Sequence, residues 1–188
     1  EELCNSRTTI DLSARKTVES YVRGQRETWA DRWKDKLTSD EVPLNPYRVI
    51  GDFMKTIDPA KSIVTHESGN PRDQLVPLYE AVTPRGYIGW GHSTQLGFSL
   101  GAAMGAKIAA PEKLVANFMG DAAFGMVGMD METVARADIP ILTIVLNNFT
   151  MAIYPDGRFP EAVRRYDIKG LTGNFADVAQ ALGGFSER

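Results

Sequence analysis

The stretch KLVANFM (Lys113 to Met119) runs into Gly120-Asp121-Ala122-Ala123, and the stretch ILTIVL (Ile141 to Leu146) runs into Asn147-Asn148. Each is a short, largely apolar run bounded by turn residues, the pattern of a strand buried on both faces. An amphipathic segment between them reads as a helix from about Val127 to Ala137. Two strands joined through a helix pair in parallel, so Asp121 and the Asn147-Asn148 pair are expected at one edge of the sheet. That edge is where open α/β sheets receive ligands.

The same alternation extends upstream. Ser62 to Thr65 is a short strand candidate ending in His66-Glu67-Ser68-Gly69-Asn70-Pro71, with a helix expected near Gln74 to Val82. Tyr87 to Trp90 is another, followed by Gly91-His92-Ser93-Thr94-Gln95 and a helix over Leu96 to Ala110. Downstream, a loop separates the last strand from a helix over Phe175 to Leu182 capped by Asn174. The expectation is an α/β, three-layer doubly wound domain with a mainly parallel sheet and right-handed crossovers.

This domain is expected to occupy residues 45–188, opening with Asn45-Pro46 as cap and first turn of a helix through Ile57. Residues 1–44 read as a charged helical linker or lid, with Leu12, Val18, Tyr21, Val22, Trp29 and Trp33 forming a partial apolar stripe. The chain stops at Gly183-Gly184-Phe185-Ser186-Glu187-Arg188, where another strand is expected, and starts as abruptly. It is therefore expected to be truncated at both ends relative to a longer protein.

A net charge of −3 without a long basic run gives no support to a nucleic-acid partner or an electrostatic membrane anchor. The longest uncharged stretch tested as a membrane span, Leu96 to Ala106, is too short to cross a bilayer. Cys4 is the single cysteine, which rules out an intrachain disulfide, and a cytoplasmic protein is expected.

Gly97, Gly101 and Gly105 share one face of the Leu96 to Ala110 helix, each at a cost of about 1 kcal/mol relative to alanine. Close packing against that face is the first expectation, and approach of a cofactor to the helix start is the second. Gly120-Asp121-Ala122-Ala123, between a strand and a helix, could receive a phosphate on successive backbone N–H groups. It is neither a P-loop nor a dinucleotide fingerprint. Asp121 beside an anion is repulsive unless a cation lies between them. Mg²⁺ resolves the conflict, with Asn148 as a neutral oxygen ligand and substrate phosphates completing the shell. Asp121 alone reads equally as a helix N-cap, and Asn148 alone as a turn residue. The pair, 27 positions apart at two strand ends, is more specific than either member.

Gly120-Asp121-Ala122 through Asn147-Asn148 resembles the thiamine diphosphate motif, a Gly-Asp-Gly or Gly-Asp-Ala start followed just under thirty residues later by Asn-Asn. His66-Glu67-Ser68-Gly69-Asn70 is similar to the Thr-Asp-Val-Gly-Gln turn of acetolactate-synthase-like enzymes. The segment from Leu96 to Gly105 is similar to their Met-Gly-Tyr-Gly-Leu-Pro-Ala-Ala-Ile-Gly segment. The resemblance covers roughly Ile63 to Leu182 and implies the C-terminal, diphosphate-binding domain of a thiamine diphosphate- and Mg²⁺-dependent enzyme. Such enzymes act on 2-oxo acids by decarboxylation, carboligation or both.

By that resemblance, Asp121 and Asn148 are Mg²⁺ side-chain ligands and Thr150 supplies its carbonyl. Gly69, Asn70, Gly120, Ala122 and Ala123 line the diphosphate, while Met151, Ala152 and Ile153 close over the cofactor. Leu96 stands where the family has the bulky apolar residue under the bent cofactor, and the Thr94 carbonyl accepts from the aminopyrimidine amine. The activating glutamate is expected on the N-terminal domain of a neighbouring subunit, so no catalytic residue is assigned here and a homodimer or tetramer is expected through the full-length protein. Ala152, Gly101 and His92-Ser93-Thr94-Gln95 depart from the usual Gly, Pro and Gly-rich entry. No role is assigned to His66 or His92. The alternatives are a non-catalytic thiamine diphosphate-binding module and a generic nucleotide-binding α/β domain.

Overall fold

A computed structural model describes residues 12–89, 93–151 and 157–188. Strands β1 (Ser62–His66), β2 (Tyr87–Ile88), β3 (Leu114–Gly120) and β4 (Leu142–Leu146) pair entirely in parallel, in the order β2-β1-β3-β4. Helices α1 (Leu12–Leu37), α2 (Pro46–Thr56), α3 (Asn70–Leu75), α4 (Phe98–Ala109), α5 (Asp121–Val127), α6 (Met131–Arg136), α7 (Pro160–Tyr166) and α8 (Phe175–Ala181) accompany the sheet. The doubly wound α/β architecture expected from the sequence is what the chain adopts.

Strand periodicity divides the core into two faces. On β3, Val115 and Met119 are packed with Ala103, Ala106 and Leu100 of α4, and Met119 also with α5, α6 and α8. Ala116 and Phe118 point the other way and pack with Ile50 and Phe53 of α2 and Leu75 of α3. Phe118 is fully buried and meets the edge of Phe53 at 4.9 Å between ring centroids. Burial of both faces explains why KLVANFM carries little polar character. Its one central polar side chain, Asn117, lies within 3.1 Å of Thr65 Oγ1 on β1.

Local chemistry sets the element ends. The Asn45 side chain accepts from the Tyr47 N–H at 3.0 Å with Pro46 in the first turn, and Asn174 caps α8 through the Asp177 N–H. Helix α1 is exposed along its first half, with Tyr21 68% accessible, and is joined to the rest near its end. There Trp33 lies 4.6 Å from Tyr47, and the Trp29 indole donates to the Pro77 carbonyl.

Three expectations are corrected. The helix expected at Gln74 to Val82 is instead α3, four residues earlier, because Gly69 at φ 78 turns the chain straight into it and Pro77 cannot extend its hydrogen-bond ladder. The helix expected from Val127 begins at Asp121, since Ala122 and Ala123 favour helix; Gly128 then opens a 3-10 turn before α6. The loop after β4 contains α7, started by Pro160 and carrying Glu161 paired with Arg164 at 2.7 Å.

The glycine face of α4 also differs from expectation. A Cβ at Gly101 or Gly105 would meet nothing within 4 Å, so neither glycine is there for close packing among the described residues. Gly97 is different: it precedes the helix at φ 93, and a Cβ there would fall 2.5 Å from Val127 Cγ1. Gly101→Ala and Gly105→Ala are each expected to raise stability by about 0.4–1 kcal/mol, and Gly97→Ala to lower it, in urea unfolding.

Candidate functional site

All four strands run the same way, so their carboxyl ends share one edge. From the central strand β1 the chain crosses to β2 on one side, and β3 pairs on the other. The crevice beyond β1 and β3 is therefore the switch point at which open α/β sheets bind ligands. A cleft of about 240 Å³ lies there.

The cleft draws its walls from segments far apart in sequence. Gly69 and Asn70 follow β1, Leu96 precedes α4, Gly120, Ala122 and Ala123 lie at the β3–α5 junction, and Asn148 follows β4. These are seven of the residues singled out in the sequence. A Cβ added at Gly69 or Gly120 would meet no atom of the described residues within 4 Å, so bare backbone faces open space among them at both positions. The two are not equivalent: Gly69 needs its positive φ, whereas Gly120, at φ −85, contributes only the absence of a side chain.

Asp121 lies between Gly120 and Ala122 and is 2% exposed. Its Oδ1 accepts from the Ala122 N–H at 2.8 Å, while Oδ2 is buried with no hydrogen-bond partner among the described residues. The N-cap reading fails, because Asp121 is the first helical residue and Gly120 holds the cap position without a side chain. The pairing of Gly120 with Leu146 puts Asp121 and Asn147-Asn148 just beyond adjacent strand ends, about 5 Å apart. Asn147 Oδ1 accepts from the Phe149 N–H and Asn148 Oδ1 from the Thr150 N–H. Both asparagines thus form turns, yet an amide oxygen has two lone pairs and Asn148 retains one for another partner. No cluster of three or more His, Cys, Asp and Glu suited to a metal occurs among the described residues, so a metal here would need neutral oxygens as well. The donor set fits Mg²⁺: one buried carboxylate oxygen lacking a partner, beside an amide oxygen.

Among the described residues, Thr94, Thr150 and Met151 do not line this cleft. Thr94 is exposed with φ 48, an unusual backbone conformation for a β-branched residue. Thr150 bridges to Gly170, and the Met151 N–H donates to the Lys169 carbonyl. Ala152, Ile153 and His92 lie outside the described residues.

Sequence reasoning missed two features. Ser68, Pro71, Asp73 and Leu146 also line the cleft; their adjacency to Gly69, Asn70 and the strand end was the available signal. The second is Glu67, fully buried, which accepts from the Gly97 N–H and from both the N–H and Oγ of Ser99. Leu96 does bring the start of α4 to the cleft, but these first N–H groups are already taken by a carboxylate. His66, 2% exposed, stacks on Tyr87 at 5.1 Å. Burial, with a smaller contribution from Tyr79, raises the Tyr87 phenol above the usual tyrosine range.

The sheet, its switch-point cleft and the glycine-bearing strand ends define an α/β cofactor-binding domain. Residues 67–188 match the family described as thiamine pyrophosphate enzyme, C-terminal TPP binding domain. The chain is 30% identical over 164 residues to the mitochondrial acetolactate synthase of Schizosaccharomyces pombe, a match covering 85% of this chain and 24% of that protein. It is 30% identical over 134 residues to 2-hydroxyacyl-CoA lyase of Arabidopsis thaliana (70% and 23% covered), and 28% identical over 120 residues to oxalyl-CoA decarboxylase of Escherichia coli K12 (63% and 21%). The chain belongs to the thiamine pyrophosphate enzymes, as their C-terminal cofactor-binding domain. Its cofactor is thiamine diphosphate, another name for the same pyrophosphate, which displaces the generic nucleotide-binding alternative. It spans about a quarter of the length of these relatives. No described helix is long and apolar enough to cross a membrane.

A buried carboxylate oxygen without a partner is costly. Asp121→Asn keeps an acceptor for the Ala122 N–H and removes that charge. Without divalent cation it is expected to raise stability by about 1 kcal/mol, read from thermal unfolding in chelator.

Proposed function

We propose that the cleft seats the diphosphate of thiamine diphosphate against Gly69, Asn70, Gly120, Ala122 and Ala123. Mg²⁺ is held by the side chains of Asp121 and Asn148 and by the Thr150 carbonyl. The observation that carries this reading is Asp121 Oδ2, buried and unpartnered among the described residues beside a glycine-lined cleft. Bare backbone at Gly69 and Gly120 lets a phosphate approach closely, and the cation offsets the repulsion between that phosphate and Asp121.

Leu96, which packs partly into the core of Leu100, Met119 and Phe124, supports the bend of the cofactor. The Thr94 carbonyl accepts from its amine, while Met151, Ala152 and Ile153 cover it. The bridge between Thr150 and Gly170 holds the covering segment at its base. In this reading residues 45–188 form the cofactor domain and residues 1–44 a charged helical linker or lid.

The full-length protein is a homodimer or tetramer acting on 2-oxo acids, by decarboxylation with or without transfer to a second carbonyl compound. The names of relatives such as acetolactate synthase and oxalyl-CoA decarboxylase support decarboxylation and transfer as the chemistry. When bound, the cofactor supplies the nucleophile and the electron sink for that chemistry. This chain contributes binding, orientation and partial exclusion of water; the activating glutamate comes from another domain.

Thiamine diphosphate with Mg²⁺, at about 100 times its dissociation constant, is expected to stabilise the full-length protein by about 2.7 kcal/mol. Asp121→Ala is expected to abolish Mg²⁺-dependent binding in titration calorimetry. Unchanged binding by that variant would overturn the metal assignment. Product analysis with pyruvate then separates acetolactate formation from simple decarboxylation.

A further inference from the structure

Glu67 is among the most deeply buried ionisable side chains described, at 0% exposure, and among the described residues no cation is paired with it. Its partners all come from the start of α4. Oε2 accepts from the Gly97 N–H at 3.1 Å, and Oε1 accepts from the Ser99 N–H and from Ser99 Oγ, each at 2.7 Å. The charge of the carboxylate therefore complements the positive end of a 12-residue helix.

Ser99 extends the network. Its carbonyl lies 3.1 Å from Thr65 Oγ1 on β1, which is also 3.1 Å from Asn117 Oδ1 on β3; Asn117 Nδ2 in turn donates to Met119 Sδ. Thr65, Glu67, Ser99 and Asn117 are all fully buried. The network thus links three of the four segments that deliver the walls of the cleft, all but the end of β4. Two residues beyond Glu67 is Gly69, the residue before Gly97 is Leu96, and three residues beyond Asn117 is Gly120. A chain of polar contacts this deep would be an expensive way merely to fill space, because each member is costly if left unpaired.

We propose that Glu67 is a positioning residue for the cofactor cleft. Its carboxylate holds the Leu96–Gly97 turn against the end of β1, setting the distance between the apolar support at Leu96 and the phosphate-facing wall at Gly69 and Asn70. This rests on the reading that the cleft holds thiamine diphosphate. The two ends of the ligand are then controlled separately. The Glu67 backbone is fixed without its side chain, since its N–H donates to the Phe118 carbonyl at 2.8 Å. Loss of the carboxylate releases Leu96 and leaves the phosphate wall in place.

Glu67→Gln tests this at nearly constant volume. A glutamine offers one acceptor oxygen where the site presents donors to two, so either orientation turns its NH2 toward a backbone N–H. The full-length protein, with folding checked by thermal unfolding in the same samples, is titrated with two probes in Mg²⁺: thiamine diphosphate and inorganic diphosphate. Glu67→Gln is expected to weaken thiamine diphosphate about tenfold and inorganic diphosphate less than about twofold. Ser99→Ala keeps both backbone N–H donors and removes one bond. It is expected to weaken thiamine diphosphate about threefold with the same selectivity, and it carries the test should Glu67→Gln fail to fold. Equal weakening of both probes makes Glu67 merely structural and overturns the proposal, as does unchanged thiamine diphosphate binding. A wild-type protein that binds inorganic diphosphate but not thiamine diphosphate, or neither, overturns the cofactor reading itself and this proposal with it.

Discussion

The pairing of β3 with β1 on one side and β4 on the other is the constraint from which the site follows. Parallel pairing sends the carboxyl ends of all three strands to one edge, with His66 opposite Phe118 and Gly120 opposite Leu146. The walls come from four segments separated in sequence, each at the end of a strand or the start of a helix. A one-residue slip of β3 would reverse Phe118 and Met119 between the two core faces, so the hydrophobic core enforces the register of the site. Packing and function are thereby set by the same choice of alternating side chains.

Much of this was legible from residues. The apolar runs of β1, β3 and β4 gave the parallel sheet, and Gly120-Asp121 with Asn147-Asn148 gave two of its functional ends, because burial on both faces and turn chemistry leave strong marks. Three-dimensional neighbours left weaker ones. The Glu67 carboxylate and the N–H groups of Gly97 and Ser99 are thirty or more positions apart, and no periodicity links a carboxylate to a backbone donor. Gly101 and Gly105 misled for the converse reason: helical spacing puts them on one face but says nothing about what stands opposite. Helix boundaries at Asn70 and Asp121 were displaced because the glycines before them read as loop, when each starts a helix directly.

Several positive-φ residues border the same cleft, while others, such as Arg85, Asp138 and Asp167, lie elsewhere. Gly69, Thr94, Gly97 and Phe149 all have positive φ, and each lies on a segment that delivers a residue to the site. Gly69 and Gly97 adopt this conformation at little steric cost, whereas Thr94 and Phe149 do so against their intrinsic preference. Such positions persist only where the surrounding structure over-determines them. Here the Asx turn from Asn147 accompanies Phe149, since its N–H donates to Asn147 Oδ1, and the Leu171 N–H donates to the Phe149 carbonyl.

The two buried carboxylates near the cleft separate structural from ligand-directed charge. Glu67 has both oxygens occupied by donors fixed in the fold, so it has little capacity left for a bound molecule and acts on the ligand only through what it holds. Asp121 has one oxygen occupied and the other buried without a partner among the described residues. Two carboxylates of similar burial in one region therefore differ in what they can still do. The satisfied one stiffens the wall, while the half-satisfied one keeps a negative oxygen that a hard cation can neutralise, linking a half-satisfied buried charge to the point where an anionic ligand would enter.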